Sequence, residues 1–311
     1  MPAPALFRRR GWPALLAAVL LAGALTGCAT TSSAQRAAGG PIAVAASTNV
    51  WGSILSQLGG SHVLATSIIS NPQTDPHAYE PTPADARTIA DSRLFVQNGI
   101  GYDPWAARSV AASPEKNRTV IDVGELVGVA EGGNPHRWYS PGDVSKVIDA
   151  ISAGLKRADP ANADYYDSRR RSFHAENLAE YHRLISDIRS RYAGVAIGAS
   201  ESVIEPLAQA LGLTLATPAG FLQAISEGTD PSAADKAASE SQLSHGAVKV
   251  YVYNGQNATP DVAAQLAVAR RAGVPVVAVT ETINPPEASF QQWQVSQLRA
   301  LQAALAQASG R

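Results

Sequence analysis

Two proline-fixed loops carry the residues best suited to hold a metal ion. In Asn71-Pro72-Gln73-Thr74-Asp75-Pro76-His77-Ala78-Tyr79-Glu80-Pro81-Thr82-Pro83 the prolines restrict the backbone on both sides of His77, so its imidazole is presented with little local freedom. Asn134-Pro135-His136-Arg137-Trp138-Tyr139-Ser140-Pro141 repeats the device: proline, histidine, aromatic residues, proline. An isolated Pro-His-x-Tyr is most often a structural loop. Two such loops in one half of a chain instead suggest a pair of imidazoles working together, and neutral imidazole is the commonest side-chain metal donor.

The elements around these loops set where they point. From Ile42 onward, short β-rich runs alternate with longer amphipathic stretches, the pattern of βα units and a parallel sheet, so the fold class is α/β. Strands are expected at Ile42–Ala46, Val63–Ile69, Leu94–Gln97 and Thr119–Val123, with helices from near Asn49, Pro83 and Asp103. A second set of strands is expected at Val195–Gly198, Thr214–Ala216, Val248–Tyr253 and Val274–Val279, with helices near Ser202, Pro231, Pro260 and Ala288. Each set makes one lobe. Between them, Asp143 to Arg191 has no strand signal and is interrupted only around Pro160. Leu178, Tyr181, Leu184, Ile185 and Ile188 fall at helical spacing, with Arg169, Arg170, Arg183, Asp187 and Arg191 left for the wet side. This predicts a long connecting helix; about twenty-five residues would span about 37 Å. The expected organisation is an N-terminal lobe over 41–142, a helical connection over 143–192 and a C-terminal lobe over 193–311. His77 follows a strand and precedes a helix, at the end of the sheet where open α/β folds bind ligands.

These motifs resemble the TroA-like solute-binding proteins, the metal receptors of zinc and manganese ABC importers. Asp75-Pro76-His77-Ala78-Tyr79-Glu80-Pro81 and Asn134-Pro135-His136 are similar to that family's first two ligand motifs. The likeness continues through Ser47-Thr48-Asn49-Val50-Trp51 and Asn98-Gly99-Ile100-Gly101-Tyr102-Asp103-Pro104-Trp105, and covers most of the chain from Ile42. The resemblance implies two Rossmann-like lobes with the metal site in the cleft between them, and two further ligands from the second lobe. Ala199-Ser200-Glu201-Ser202 is similar to the Ser-Glu form of manganese-type members, which assigns the third position to Glu201. Glu205, one helical turn on and just inside the helix beside Pro206, competes for it and ranks lower. Val279-Thr280-Glu281-Thr282 resembles the family's Thr-Asp-Ser pattern, which assigns the fourth position to Glu281, one methylene longer than the usual Asp. Taken alone, either glutamate would read as a solvated carboxylate at a helix start.

The implied cargo is one divalent ion, Mn²⁺ or Zn²⁺. A nitrogen and oxygen donor set without sulfur excludes copper(I) and iron–sulfur chemistry, and carboxylates able to bind through both oxygens favour Mn²⁺ over four-coordinate Zn²⁺. The His- and Asp-rich loop of many zinc-type members is missing between the two histidines. Among the remaining histidines, His174 and His182 lie two helical turns apart, too far to grip one ion. His245 reads as a helix terminus and His62 as part of a turn.

The 311 residues carry 25 Lys+Arg against 26 Asp+Glu, and no basic run interleaved with aromatics follows the N-terminus, so nucleic acid is not an expected partner. Arg8, Arg9 and Arg10 precede an apolar run from Ala14 to Leu25, too short to span a bilayer as a mature helix, and Leu25-Thr26-Gly27-Cys28 resembles a bacterial lipobox. Residues 1–27 are therefore expected to be a lipoprotein signal peptide, Cys28 the lipidation site, and residues 28–40 a flexible Ala/Ser/Thr/Gly tether. Cys28 is the only cysteine, so its lipidation leaves the body without disulfides or thiolate ligands. The expected product is an extracytoplasmic, membrane-anchored monomer that delivers its ion to an ABC permease with a cytoplasmic ATPase. Two rival classes are a surface adhesin or structural lipoprotein with an incidental metal, and a metallohydrolase. A catalytic metal needs an open coordination position, whereas four side chains are committed here, and no His-Glu-x-x-His, nucleophile elbow or Walker loop occurs.

Overall fold

The computed structural model describes residues 40–257 and 259–310. The expected signal peptide, Cys28 and nearly all of the tether lie outside the described residues. In chain order the first half contains β1 (Ile42–Thr48), α1 (Asn49–Gly59), β2 (Val63–Ile69), α2 (Pro83–Asp91), β3 (Leu94–Gln97), α3 (Pro104–Ala112), β4 (Thr119–Asp122) and the short α4 (Val123–Val127). Then follow α5 (Pro141–Ala158), α6 (Ala163–Ser172) and α7 (Ala179–Tyr192). The second half contains β5 (Ala196–Ala199), α8 (Glu205–Leu211), β6 (Thr214–Leu215), α9 (Ala219–Ser226), α10 (Ala233–Ser244), β7 (Val250–Asn254), α11 (Pro260–Arg271), β8 (Val276–Val279) and α12 (Phe290–Ala308).

The strands form two parallel sheets of the same topology, β2-β1-β3-β4 and β6-β5-β7-β8. The inner strand β3 is buried along its whole length and β7 along nearly all of it, as expected of parallel strands covered by helices on both faces. The edge strand β2 alternates, and Leu64 on it is 62% exposed. Helix starts are chemically specified. Thr82 and Asp85 close a capping box before Pro83, Ser140 caps α5, Thr259 caps α11, and Ser289 and Gln292 close a capping box on α12.

The connecting segment is two pieces. Asp159 and Pro160 end α5, because a proline ring cannot continue the hydrogen-bond ladder. From Ala163 to Tyr192 the helix then runs on, interrupted by one wide turn at Phe173–Asn177 in which the Leu178 amide donates to the Phe173 carbonyl at 3.0 Å. Over about 45 Å this rod buries Tyr166, Phe173, Leu178, Tyr181, Leu184 and Ile188. Its core is continuous with that of both sheets: Trp51 and Val96 of the first half and Ile197, Leu207 and Trp293 of the second belong to one cluster of buried side chains. Among the described residues, no helix is long and apolar enough to cross a membrane.

Candidate metal centre

All four candidate donors stand on loops at strand C-terminal ends: His77 after β2, His136 after β4 and α4, Glu201 after β5, and Glu281 after β8. Tertiary structure brings three of them into direct apposition. Glu281 Oε2 lies 4.0 Å from His77 Nε2 and 3.8 Å from His136 Nε2. Glu201 is buried in the same cavity wall as His77 and Glu281, close enough that the Glu281 charge perturbs it. Three polar atoms here have no hydrogen-bond partner in the protein: His136 Nε2, Glu201 Oε1 and Glu281 Oε2. His136 and Glu201 are only 1% and 2% exposed, and an unmet polar atom at such depth is costly, which makes a shared ligand the natural complement of the three.

The spacing is slightly too wide for an ion as it stands. A tetrahedral ion bonded at about 2.1 Å to each donor holds neighbouring donors about 3.4 Å apart. The observed separations therefore require a contraction of about half an ångström. Accordingly, among the described residues no three His, Cys, Asp or Glu side chains are gathered tightly enough to grip a metal without that movement.

Three of the four candidate donors have an orienting partner. Asn134 Oδ1 accepts from His136 Nδ1 at 2.9 Å and from its backbone amide at 3.0 Å, which keeps a proton on Nδ1 and makes Nε2 the ring atom that faces Glu281, able to turn an N–H to the carboxylate or a lone pair to a cation. Asn134 Nδ2 reaches across the cleft to the Ser202 carbonyl at 2.8 Å and to Glu205 Oε2 at 2.9 Å. Glu205 is thus exposed and already bonded, whereas Glu201 is buried with a free oxygen. Asn254 Nδ2 donates to Glu281 Oε1 at 2.7 Å, so only Oε2 of that carboxylate is uncommitted. His77 is half-exposed, stacks edge-on against Tyr102 at 4.7 Å, and has its amide fixed by Asp75 Oδ1 at 2.9 Å. Behind His136, Trp138 packs at 5.4 Å and closes the floor.

Burial pushes the Glu201 carboxyl up, and the nearby Glu281 charge adds to that, outweighing the amides of Asn254 and Asn257. Burial also acts upward on Glu281. The facing His136, then His77 and the Tyr102 hydroxyl, outweigh it and hold that carboxyl below its ordinary value. Tyr102 itself is kept neutral by burial and by Glu281, although no hydrogen bond closes between the two. Ionisation is thus disfavoured at Glu201 and favoured at Glu281. Outside the donors, the cleft opens into a cavity of about 690 Å³ bordered by Asp75, Glu131, Glu205 and Glu227, with no Lys or Arg among its described lining residues.

The other histidines lie apart from this site. His174 sits 3.2 Å from Asp149, His245 follows the last turn of α10 with Nδ1 against the Ser241 carbonyl at 2.8 Å, and His62 ends a short turn and stacks on Tyr165. Tyr102, Asn254 and Gln256 were not identified from sequence. Asn254 ends β7 and Gln256 follows it, at the ligand-binding end of its sheet, the one sequence signal that points to them.

Residues 44–304 match the family described as ZnuA: Zinc-uptake complex component A periplasmic. The chain belongs to that family. A manganese-binding lipoprotein MntA of Halalkalibacterium halodurans is 25% identical over 166 residues, 52% of this chain and 54% of that protein. The high-affinity zinc uptake system protein ZnuA of Bacillus subtilis is 26% identical over 187 residues, 54% of this chain and 56% of that one. The chain thus spans about half the length of the curated relatives it matches. Among solved structures, the Mn-bound periplasmic metal binding protein from candidatus liberibacter asiaticus superposes with a TM-score of 0.70 at 19% identity, over 84% of this chain and 98% of that one. At that identity the likeness speaks for the shared two-lobe α/β fold.

Proposed function

We propose that this protein is the extracytoplasmic metal-capture component of an ABC importer. It takes one divalent transition-metal ion between its lobes on His77 and His136 from the first half and Glu201 and Glu281 from the second. The observation that carries the reading is the set of three partnerless polar atoms around Glu281: His136 Nε2 lies 3.8 Å from Glu281 Oε2, and Glu201 Oε1 belongs to the cavity wall that Glu281 shares with His77. Glu201 is preferred over Glu205 because Glu205 is exposed and engaged with Asn134. Two carboxylates offset a dication, while the imidazoles add donors without charge. Four side chains committed to the ion favour holding it over catalysis on it.

Manganese is the proposed cargo. Two carboxylates able to bind through both oxygens suit its higher coordination number, and the donor set lacks the extra imidazole that favours zinc. We further propose export and lipidation at Cys28, a tether over 28–40, lobes over 41–142 and 193–311 joined by 143–192, and action as a monomer. A permease with a cytoplasmic ATPase is the acceptor, and its docking separates the two pairs of donors to release the ion. The test is metal analysis of protein purified from its own host, with calorimetric titration of Mn²⁺ and Zn²⁺ and growth of a deletion strain under separate manganese and zinc starvation. The expected result is one bound equivalent and a growth defect under manganese starvation. Absence of bound metal together with unchanged growth under both starvations would overturn the reading.

A further inference from the structure

Gln256 is not among the four donors, yet its side chain uses its full hydrogen-bonding capacity between the loops that carry two of them. Its Oε1 accepts from the backbone amides of Glu281 at 2.7 Å and Thr282 at 3.1 Å. Its Nε2 donates to Thr282 Oγ1 and to the Pro72 carbonyl, both at 2.6 Å. Three of these bonds hold the loop after β8, within the second half of the molecule. The fourth crosses the cleft to the start of the His77 loop. Gln256 is itself fixed, because its amide donates to Asn254 Oδ1 at 2.9 Å while the same Asn254 holds Glu281 Oε1.

A primary amide is the side chain this position requires. It offers two donors and two acceptor sites on one plane, and all four are used. A carboxylate there would have no donor for Pro72 and would add repulsion beside Glu281. Asparagine, one methylene shorter, cannot hold the β8 loop and reach Pro72 together. The consequence is geometric: His77 and Glu281, 4.0 Å apart, belong to different halves of the molecule, and Gln256 ties the backbone of one to the loop of the other.

We propose that Gln256 is a positioning residue that sets the separation of His77 and Glu281 and thereby the rate at which a captured ion leaves. This rests on the metal-capture reading above. Losing it lets the His77 loop relax outward, which weakens the closed site and leaves the path of entering ions untouched. Removal of an orienting group behind a metal ligand lowers affinity about 10–100-fold, and here that loss belongs in dissociation.

The experiment uses the full chain loaded with Mn²⁺, mixed rapidly with excess chelator to read dissociation, with association measured separately. The proteins compared are the wild type, Gln256→Ala, Gln256→Asn and Thr282→Val. Expected are dissociation faster by about 10–100-fold in both Gln256 variants, with association within about twofold. Thr282→Val, which removes one of the three bonds inside the second half but keeps the bond to Pro72, should change dissociation by less than about threefold on the same scale. Gln256→Asn keeps an amide at the β8 loop, so it serves as the second variant should Gln256→Ala fail to fold. Unchanged dissociation in the Gln256 variants would overturn the proposal, as would a Thr282→Val effect equal to theirs, since the bond across the cleft would then be idle. A wild-type protein that takes up no ion would instead bring down the capture reading itself.

Discussion

Replacing Glu201 by glutamine should raise the stability of the metal-free protein and lower its metal affinity, two effects of opposite sign from one atom exchange. Glu201 is 2% exposed, and burial together with the Glu281 charge moves its carboxyl from 4.5 up to about 8. A raised folded-state value means that this group's contribution to folding is fully present below 4.5 and is lost as the pH climbs through about 8. At pH 7 the folded protein keeps a proton that the unfolded chain would have released. At about 1.4 kcal/mol per pH unit, that costs the fold on the order of 3 kcal/mol. The carboxamide needs no ionisation, so Glu201→Gln should recover about 1–3 kcal/mol after losses in its contacts with Asn254 and Asn257, or a midpoint higher by about 2–8 °C. The gain should shrink to about 0.4 kcal/mol at pH 4.5, where half of the unfolded chains keep this proton too, and vanish below it. With the ion present the order reverses, because a neutral amide replaces an anionic donor, and affinity should drop by at least about 100-fold, or about 3 kcal/mol. Thermal unfolding at pH 4.5, 7 and 8 with and without Mn²⁺, paired with calorimetric titration, reads both effects. A destabilised metal-free variant with unaltered affinity would refute the assignment of Glu201 as a buried donor held in its proton-bearing form.

Asn134→Ala removes the acceptor that fixes the His136 tautomer and should weaken metal binding by about 10–100-fold, with Asn134→Asp recovering part of it in the same titration. The acidic rim should steer cations: Glu131→Gln with Glu227→Gln is expected to slow association severalfold at low salt and hardly at all at 1 M, where the screening length is about 3 Å, with stopped-flow dissociation unchanged. Adding Mn²⁺ to about 1,000 times its dissociation constant should stabilise the fold by about 4 kcal/mol, a midpoint rise of about 10 °C, and excess chelator should abolish it. Uptake should also release a proton from Glu201 between pH 4.5 and about 8, read as a dependence of calorimetric heat on buffer ionisation enthalpy.

The local chemistry of the chain was enough to expect most of its elements. Strands β2 and β3 fall where the apolar runs put them, and α2, α5, α11 and α12 begin at capping residues visible in the sequence. Both histidine loops could be recognised because proline and aromatic neighbours constrain them at short range. The wide turn inside the connecting rod could not. Periodicity places Tyr181, Leu184 and Ile188 on the buried face but does not register one extra residue per turn at Phe173–Asn177, since that is decided by how the rod packs on the rest of the core.

The difference between the two glutamates shows where the sequence stops. Glu201 and Glu205 are alike in type and one turn apart, and the sequence could only rank them, by the Ser-Glu resemblance and by the place of Glu205 just inside the helix beside Pro206. Tertiary structure buries the first with a free oxygen and turns the second out to Asn134, 71 positions away in the chain. Gln256 makes the same point, since its partner Pro72 lies 184 positions away. Residue identity and near-neighbour spacing marked the two histidine loops as candidates, and the family resemblance rather than local spacing marked the two glutamates. Which of them face one another, at what distance and with what charge, depended on the packing of two sheets and a shared core, because Coulomb and desolvation energies depend on separation in space rather than along the chain.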